Sequence, residues 1–380
     1  MNISSLKYSI SNNELSNKSI VGKISDSIFN KTFSKNIINK YNFLNRIKYY
    51  NYIIGKLKTI NVFNCLKNKT FKTLKGKTYN GYTLNDVVNL EKQMGSKSNY
   101  GVIYLTSVKD AVRRFPIASK LMEKNTENTI EKDINTIVTD KILLNKLSKH
   151  FIYTYKTILC NNLGINVPDI IKNTKYYISL TELANGDLKE LCNKKEFLSN
   201  DELVYNVLIQ VILSICTFHN IGYSHGDCHW GNFLYHHNGD IGYYHYKINN
   251  IDYYLKSCKY NIMIYDFGFA KKIKKLNIKK KILNDYLRII NAFYNNKIES
   301  SWIKIDNLPS NKLSNYSISL FESIVDVLKK NIKVLNYIDF INNVVLPSLI
   351  TIPNNIFSKI KPKNKIINIK PFIISQELKM

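Results

Sequence analysis

The spacing of apolar positions changes several times along the 380 residues of the chain. Residues 1–40 scatter single apolar side chains among Ser, Asn and Lys, a pattern expected of a poorly ordered extension. Residues 41–92 hold more Tyr, Ile, Leu and Val, read as an N-terminal accessory segment, and close on "YTLNDVVNLEKQ", whose spacing predicts a helix. From 95 to 118 the runs "YGVIYLTSV" and "FPIASKLM" read as strands, with Pro116 near the start of the second, where a strand tolerates it. Ile130, Ile134, Ile137, Val138, Leu144 and Leu147 fall near one stripe, so 127–148 is expected to be helical. "KYYISLTEL" (175–183) reads as a further strand.

Past residue 198 the pattern turns helical. Ser199 and Glu202 fit a capping box, and Val204, Val207, Leu208, Val211, Ile212 and Ile215 follow at helical spacing. "ILNDYLRIINAFY" and "SLFESIVDVLKK", within 281–345, predict more helix, and the tail after Pro347 is basic without periodicity. No apolar run approaches the length of a membrane span, and residues 1–30 lack the parts of a signal peptide. Strands first and helices later give an α+β expectation.

Composition changes this picture in two ways. An apolar share of 44% is enough for a substantial core, and Lys+Arg exceed Asp+Glu by 55 to 28, a formal net charge of +27. The positive charge is almost all lysine, since Arg46, Arg113, Arg114 and Arg288 are the only arginines. Such a field favours acidic partners: nucleotide phosphates, nucleic acid, anionic membrane surfaces or acidic proteins. Over-use of Asn, Ile, Lys and Tyr is equally what A+T-rich coding produces, so charge alone does not select a partner. The six cysteines form no C-x-x-C pair, and reduced thiols in an intracellular protein are the expectation.

The chemistry concentrates in "SHGDCHWGNFLY" (224–235). His225 and His229 are four apart, as two metal ligands on one helix would be, but Gly226 and Gly231 break any helix there. His236, His237 and His245 add no ligand pattern. Order suits a different chemistry: Asp227 followed by Asn232 is the H-x-D-x-x-x-x-N arrangement of a kinase catalytic loop. "IMIYDFGFA" then delivers Asp266, Phe267 and Gly268 from a β-branched run, and two carboxylates with one carboxamide are hard oxygen donors suited to Mg²⁺.

With these motifs the chain resembles the protein kinase-like family. The resemblance implies an α+β bilobal fold, a small β-rich N-lobe (93–184 with the hinge) and a larger helical C-lobe (185–345), between the N-terminal extension and a basic tail (346–380). It also implies ATP and Mg²⁺ as cofactors. "GSKSNYGVIY" (95–104) is similar to the Gly-rich loop, with Ser96 and Ser98 in place of two glycines, so that Ser96, Lys97, Ser98, Asn99, Tyr100 and Gly101 would border phosphate and Ile103 the base. "IASK" (117–120) is similar to V-A-I-K: Lys120 would hold the α- and β-phosphates and Ala118 would line the nucleotide site. Asp140 has the better spacing for the helix acid that pairs with Lys120, with Glu131 as its rival. "YISLTELANGDLKEL" (177–191) is similar to a hinge, with Thr181 as gatekeeper, the main chain of Glu182 and Ala184 on adenine and Asp187 on the ribose. Asp227 would orient the acceptor hydroxyl, and Asn232 and Asp266 would hold the metal.

The departures bear on the acceptor. Gly226 replaces the arginine that usually precedes the catalytic aspartate, so no guanidinium is expected beside Asp227. His229 replaces the lysine of Ser/Thr protein kinases, which brings the loop closer to H-G-D-x-H-x-G-N of atypical, aminoglycoside-type and choline-type kinases. Between Asn232 and Asp266 lies a long Tyr-rich insertion (235–262), expected to pack as a hairpin, and no A-P-E follows the D-F-G. The extended hairpin "HYKINNIDYY" before the D-F-G and "NDYLRIINAFY" after it resemble divergent Ser/Thr protein kinases of large DNA viruses, whereas His229 and the missing A-P-E favour a small-molecule or lipid acceptor. A protein Ser/Thr acceptor, favoured if acidic, is therefore the leading expectation; a small-molecule or lipid acceptor, and a basic pseudokinase scaffold with or without nucleic acid, are the alternatives.

Overall fold

The structure, a computed structural model, describes residues 42–61, 63, 65–72, 78–98, 101–108, 115–161, 175–273, 278–294, 313–330, 346 and 356–374. The extension 1–40 lies outside the described residues. The chain divides into two compact units, one of residues up to Asp140 together with Ile152–Gly186, the other of Lys141–Phe151 and residues from Asp187 onward.

The first unit opens with helix α1 (Phe43–Lys56), whose start is fixed by the Asn42 side chain accepting the Asn45 N–H at 2.8 Å. Strands β1 (Leu66–Lys72), β2 (Thr78–Leu84), β3 (Val88–Ser98), β4 (Gly101–Val108), β5 (Phe115–Glu123), β6 (Thr154–Cys160) and β7 (Tyr176–Thr181) form one sheet in the order β1-β2-β3-β4-β5-β7-β6, with helix α2 (Thr126–Ile137) following β5. The helix expected in "YTLNDVVNLEKQ" is instead the β2–β3 hairpin. Asn85 and Asp86 both take positive φ (49° and 54°), and the Val87 N–H closes the turn on the Leu84 carbonyl, a geometry that Asn and Asp accept and a helix interior does not. The domain boundary expected at 92/93 falls inside β3, so α1 and β1–β3 are part of the same sheet unit as β4–β7.

Register assigns the two faces of this sheet. Val102, Tyr104, Ile117, Leu121, Ile178 and Leu180 join Tyr49 and Ile53 of α1 in one core. The opposite positions include Ile103, which pairs with Lys120, and Ala118, which pairs with both Leu105 and Thr181. The same unit contains a Cys65–Cys160 disulfide linking positions 95 residues apart, which corrects the expectation of reduced thiols for that pair; Cys192, Cys216, Cys228 and Cys258 are thiols outside any disulfide.

After α2 the chain winds as a π-helical stretch (Val138–Leu143), so the regular helix expected to 148 ends early. The short strand β8 (Gly186–Asp187) crosses the division, and the second unit goes on with short helices α3 (Leu188–Cys192) and α4 (Lys195–Leu198) and the long α5 (Asp201–Asn220). Asn200, not Ser199, caps α5, accepting the Leu203 N–H at 3.0 Å. Leu203 through His219 are all buried, as in a helix at the centre of a core. By length and composition α5 is apolar enough to cross a membrane, which the run-length expectation missed, but it lies almost wholly inside the unit.

Strand β9 (Tyr223–Ser224) leads into a 3₁₀ turn (Trp230–Asn232) and β10 (Phe233–His237). The insertion is the antiparallel hairpin β11 (Tyr243–Ile248) and β12 (Ile251–Lys256), with Tyr244, Tyr246, Tyr253 and Tyr254 buried, and β13 (Tyr260–Ile264) returns to pair with β10. After β14 (Lys271–Lys272) come α6 (Ile278–Tyr294) and α7 (Asn315–Lys330). The basic tail is not irregular throughout: β15 (Phe357–Ser358) pairs with β12 and β16 (Phe372–Ile374) with β11, closing a four-stranded sheet.

Candidate active site

In the first unit the site residues lie along one face of the β4-β5-β7 ladder. Lys120 is 3% exposed and both carboxylate oxygens of Glu131 accept from its ammonium, at 2.9 and 2.7 Å. The pairing expected with Asp140 is thus corrected. Glu131 lies on the buried side of α2, whereas Asp140 sits in the π-helical stretch and is exposed. Ile103 and Ala118 occupy the Lys120 face, and Ala118 packs with Met94, Leu105 and Leu183 in a small apolar cluster.

At the expected Gly-rich loop, β3 continues to Ser98, which pairs with Gly101. The side chains of Ser96, Lys97 and Ser98, and residues Asn99 and Tyr100 entirely, lie outside the described residues. Thr181 ends β7 and is buried. The Glu182 N–H is already donated to the Tyr153 carbonyl at 3.0 Å, and its carboxylate takes the Tyr153 N–H and a two-pronged grip from the Arg46 guanidinium of α1 at 3.0 and 2.7 Å. The expected adenine contact of Glu182 is therefore left to its carbonyl; Ala184 is half-buried in the following segment.

In the second unit Asp187 caps α3, one carboxylate oxygen accepting the Glu190 N–H at 2.9 Å, which gives it a structural task beside the ribose contact expected of it. The catalytic-loop residues converge. Asn232 donates its amide to the Asp227 carbonyl at 2.9 Å and to Asp227 Oδ2 at 3.2 Å. Because both bonds use the amide nitrogen, the Asn232 carboxamide oxygen is the atom that remains for a cation. The β10–β13 register pairs Phe233 with Ile264, and the Tyr265 N–H bonds the Asn232 carbonyl, which brings Asp266 alongside Asn232.

Asp266 holds φ at +62°, a left-handed conformation uncommon for non-glycine residues but one that aspartate adopts more readily than most. Phe267 anchors it from behind, stacked on Phe218 at 4.9 Å and near His225 at 5.7 Å. His225 is fully buried. Its Nδ1 accepts the Asp227 N–H and its Nε2 donates to the Tyr265 carbonyl, which fixes the neutral tautomer and ties the loop to the D-F-G strand. Burial, opposed by the charge of Asp285, pushes the His225 pKa down.

Three groups face the Asp227 carboxylate: Asn232, His229 with Nε2 3.5 Å from Oδ2, and Arg288 with its guanidinium 3.3 Å from Oδ1. Burial alone would raise the Asp227 carboxyl, but the hydrogen bond and charge of His229 and the charge of Arg288 bring it below its ordinary value. His229 Nδ1 accepts the Gly231 N–H at 3.0 Å, and a Cβ at Gly231 would come within 2.9 Å of the imidazole, so glycine is what lets the ring cap the turn.

The guanidinium that Gly226 was expected to remove is present after all, delivered by α6. Arg288 also donates to the Gly226 carbonyl, and the fully buried Asp285 accepts N–H bonds from His225 and Gly226, both at 2.8 Å, and a bond from His219 Nε2 at 2.8 Å. Sequence reading passed over both residues. Their only signal is the spacing of an acid and an arginine three apart in "NDYLRII".

Mg²⁺ fits this donor set. Asp266 and Asn232 offer hard oxygens, and among the described residues no group of three or more His, Cys, Asp or Glu is placed to hold a metal, so phosphate and water oxygens would complete the shell. The strand-borne Lys–Glu pair of the first unit, and the Asp–Asn loop followed by D-F-G in the second, are each features that a kinase-like domain carries. A family model, the ABC1 atypical kinase-like domain, matches residues 154–301, less than half of the chain; that span takes in Glu182, Asp227, Asn232, Asp266 and Arg288 but stops short of Lys120 and Glu131. No curated protein matches the chain.

Proposed function

We propose that the chain is an ATP- and Mg²⁺-dependent phosphotransferase. The observation that supports this reading most is the Asp227 carboxylate, kept ionised and held by Asn232, His229 and Arg288, in a loop tied through Asn232 to the segment that leads from β13 into Asp266. In the proposed reaction the acceptor oxygen bonds the γ-phosphorus, the bond to the bridging oxygen of ADP breaks, and Asp227 takes the acceptor proton. Lys120, oriented by Glu131, holds the α- and β-phosphates; the apolar positions Ile103 and Ala118 take the base. Asn232 and Asp266 are the metal ligands, and Mg²⁺ bound there supplies neutralisation of phosphate charge. Most of the rate comes from positioning and charge, as phosphoryl transfer requires little covalent work from the protein.

The acceptor we favour is a protein Ser/Thr hydroxyl, on the likeness of the Tyr-rich hairpin and the segment after the D-F-G to the viral Ser/Thr kinases. A small-molecule or lipid hydroxyl is the second reading, and the ABC1 atypical match together with His229 in the loop speaks for it. A scaffold without catalysis has less support, because Lys120, Glu131, Asp227, Asn232 and Asp266 are all kept. Transfer of radiolabelled phosphate from Mg·ATP to panels of proteins, lipids and small alcohols tests the reading. Label on an acceptor with the wild type and none with Asp227→Asn is the expected result; no transfer to any panel and no ATP hydrolysis would leave the scaffold.

A further inference from the structure

Helix α6 places Asp285 and Arg288 three residues apart, on one side of the helix. Together they grip the Gly226 peptide from both ends: Asp285 accepts its N–H at 2.8 Å and Arg288 donates to its carbonyl. Gly226 sits at φ +79°, and a Cβ there would meet the Phe269 carbonyl at 2.9 Å. That position of the loop can therefore carry no side chain, and a cation for Asp227 has to come from elsewhere in the fold. It comes from Arg288, whose guanidinium reaches Asp227 Oδ1 at 3.3 Å across 61 residues of sequence.

We propose that Arg288 is a positioning residue for phosphoryl transfer, fixing Asp227 Oδ1 so that Oδ2 is presented to the acceptor hydroxyl. The proposal rests on the reading of Asp227 as the base. Holding the loop backbone does not require Arg288, because Asp285 already takes the His225 and Gly226 N–H groups and is itself held by His219. What Arg288 adds is a contact to the reactive carboxylate. A carboxylate turns readily about its terminal torsion, and Asn232 and His229 both contact Oδ2, at 3.2 and 3.5 Å, leaving Oδ1 to the guanidinium. Both contacts come from one guanidinium nitrogen, Nη1, whose two N–H donors lie in a fixed plane, so a permanent cation holds the Gly226 carbonyl and the Asp227 carboxylate at once; an ammonium keeps the charge and donors without that fixed plane. Freed from it, Asp227 samples orientations that do not face the acceptor.

The test uses the full chain with Mg·ATP and water as acceptor, following phosphate release in single turnovers, with Mg·ADP binding by calorimetry and the thermal midpoint of each variant. Arg288→Met is expected to lower turnover about 100-fold, the scale of a small misplacement of a catalytic group, with Mg·ADP affinity and the KM for ATP within about twofold of wild type. Arg288→Lys is expected to recover part of the loss in kcat. Wild-type turnover in Arg288→Met, or loss of turnover and of Mg·ADP binding in step, would overturn the proposal. Should Arg288→Met not fold, Arg288→Lys decides: a reduced kcat with binding and midpoint retained supports positioning, and an unchanged kcat refutes it. Asp227→Asn separates the two claims. If it is inactive while Arg288→Met is unaffected, only the role of Arg288 fails; if Asp227→Asn turns over normally, the phosphotransferase reading fails with it.

Discussion

The Lys120 ammonium lies 2.7 Å from Glu131 Oε2, with both side chains almost completely buried. Removing one partner of such a pair leaves an uncompensated charge in the core. Glu131→Gln is therefore expected to cost about 3–5 kcal/mol of stability and to remove most of the turnover, because Lys120 loses the group that orients it. Asp140 is exposed, and Asp140→Asn should change stability by no more than about 0.5 kcal/mol. Denaturant unfolding and phosphate release on the two variants check the ranking, and the reverse order would return the pairing to Asp140.

Asp227→Asn removes the proton acceptor while leaving Asn232, Asp266 and Lys120 in place. A loss of about 10²- to 10⁴-fold in turnover is expected, with Mg·ADP binding retained. Calorimetry alongside the rate assay distinguishes this from a damaged loop, in which binding would fall as well.

The parts of the site that were legible in the sequence are those whose chemistry is local. Asp227 and Asn232 share one loop, Asp266 follows a β-branched run, and the alternation in "IASK" already places Ala118 and Lys120 on one face. The parts that were missed depend on distance or on a change of backbone. Sequence distance from Lys120 favoured Asp140, but α2 already starts at Thr126 with Glu131 on its buried side, and the chain has become π-helical by Val138, where Asp140 is exposed. "YTLNDVV" has an apolar period that fits helix and strand alike, and the Asn85-Asp86 turn decides for strand. Arg46 with Glu182, Arg288 with Asp227, and Cys65 with Cys160 join residues 136, 61 and 95 positions apart, which no local pattern can reveal.

Activity should not depend on phosphorylating the segment after Gly268. The cation beside Asp227 is supplied by Arg288, which already holds Asp227 and the Gly226 carbonyl without any added phosphate. Phosphatase treatment should leave turnover unchanged. A large loss, mapped by mass spectrometry to a modified residue within 269–300, would show that a phosphate orders the site.

His229 serves the loop through an acceptor nitrogen, since its Nδ1 takes the Gly231 N–H. Glutamine can supply an acceptor and lysine cannot. His229→Gln should keep most of the turnover, and His229→Lys should lose the cap, about 1 kcal/mol of stability, and part of the rate. A fast His229→Lys beside an inactive His229→Gln would mean instead that this position acts as a cation on the transferred phosphoryl group.

Two buried groups behind the loop give the protein an acid dependence with separate windows. Burial holds the His225 pKa below its ordinary 6.5, so the native state keeps the imidazole neutral while the unfolded chain gains a proton as pH falls through that value. Its contribution to stability is complete above pH 6.5 and declines below it. For Asp285 burial would raise the pKa, but the hydrogen bond and charge of His219 and the Gly226 N–H bring it below the ordinary 3.8. The Asp285 contribution is present above pH 3.8 and is lost only as pH falls through its lower native value. Between pH 7 and 5 the slope attributable to this pair therefore comes from His225, at most about 1.4 kcal/mol per pH unit for one proton. His225→Asn should be less stable than wild type at pH 7.5, because it loses the bond to the Tyr265 carbonyl, yet its stability should fall less steeply down to pH 5. Chemical denaturation at a series of pH values measures both slopes. Parallel curves for the two proteins would mean that His225 takes up its proton in the native state as readily as in the unfolded chain, and the lowered pKa assigned to it here would have to be abandoned.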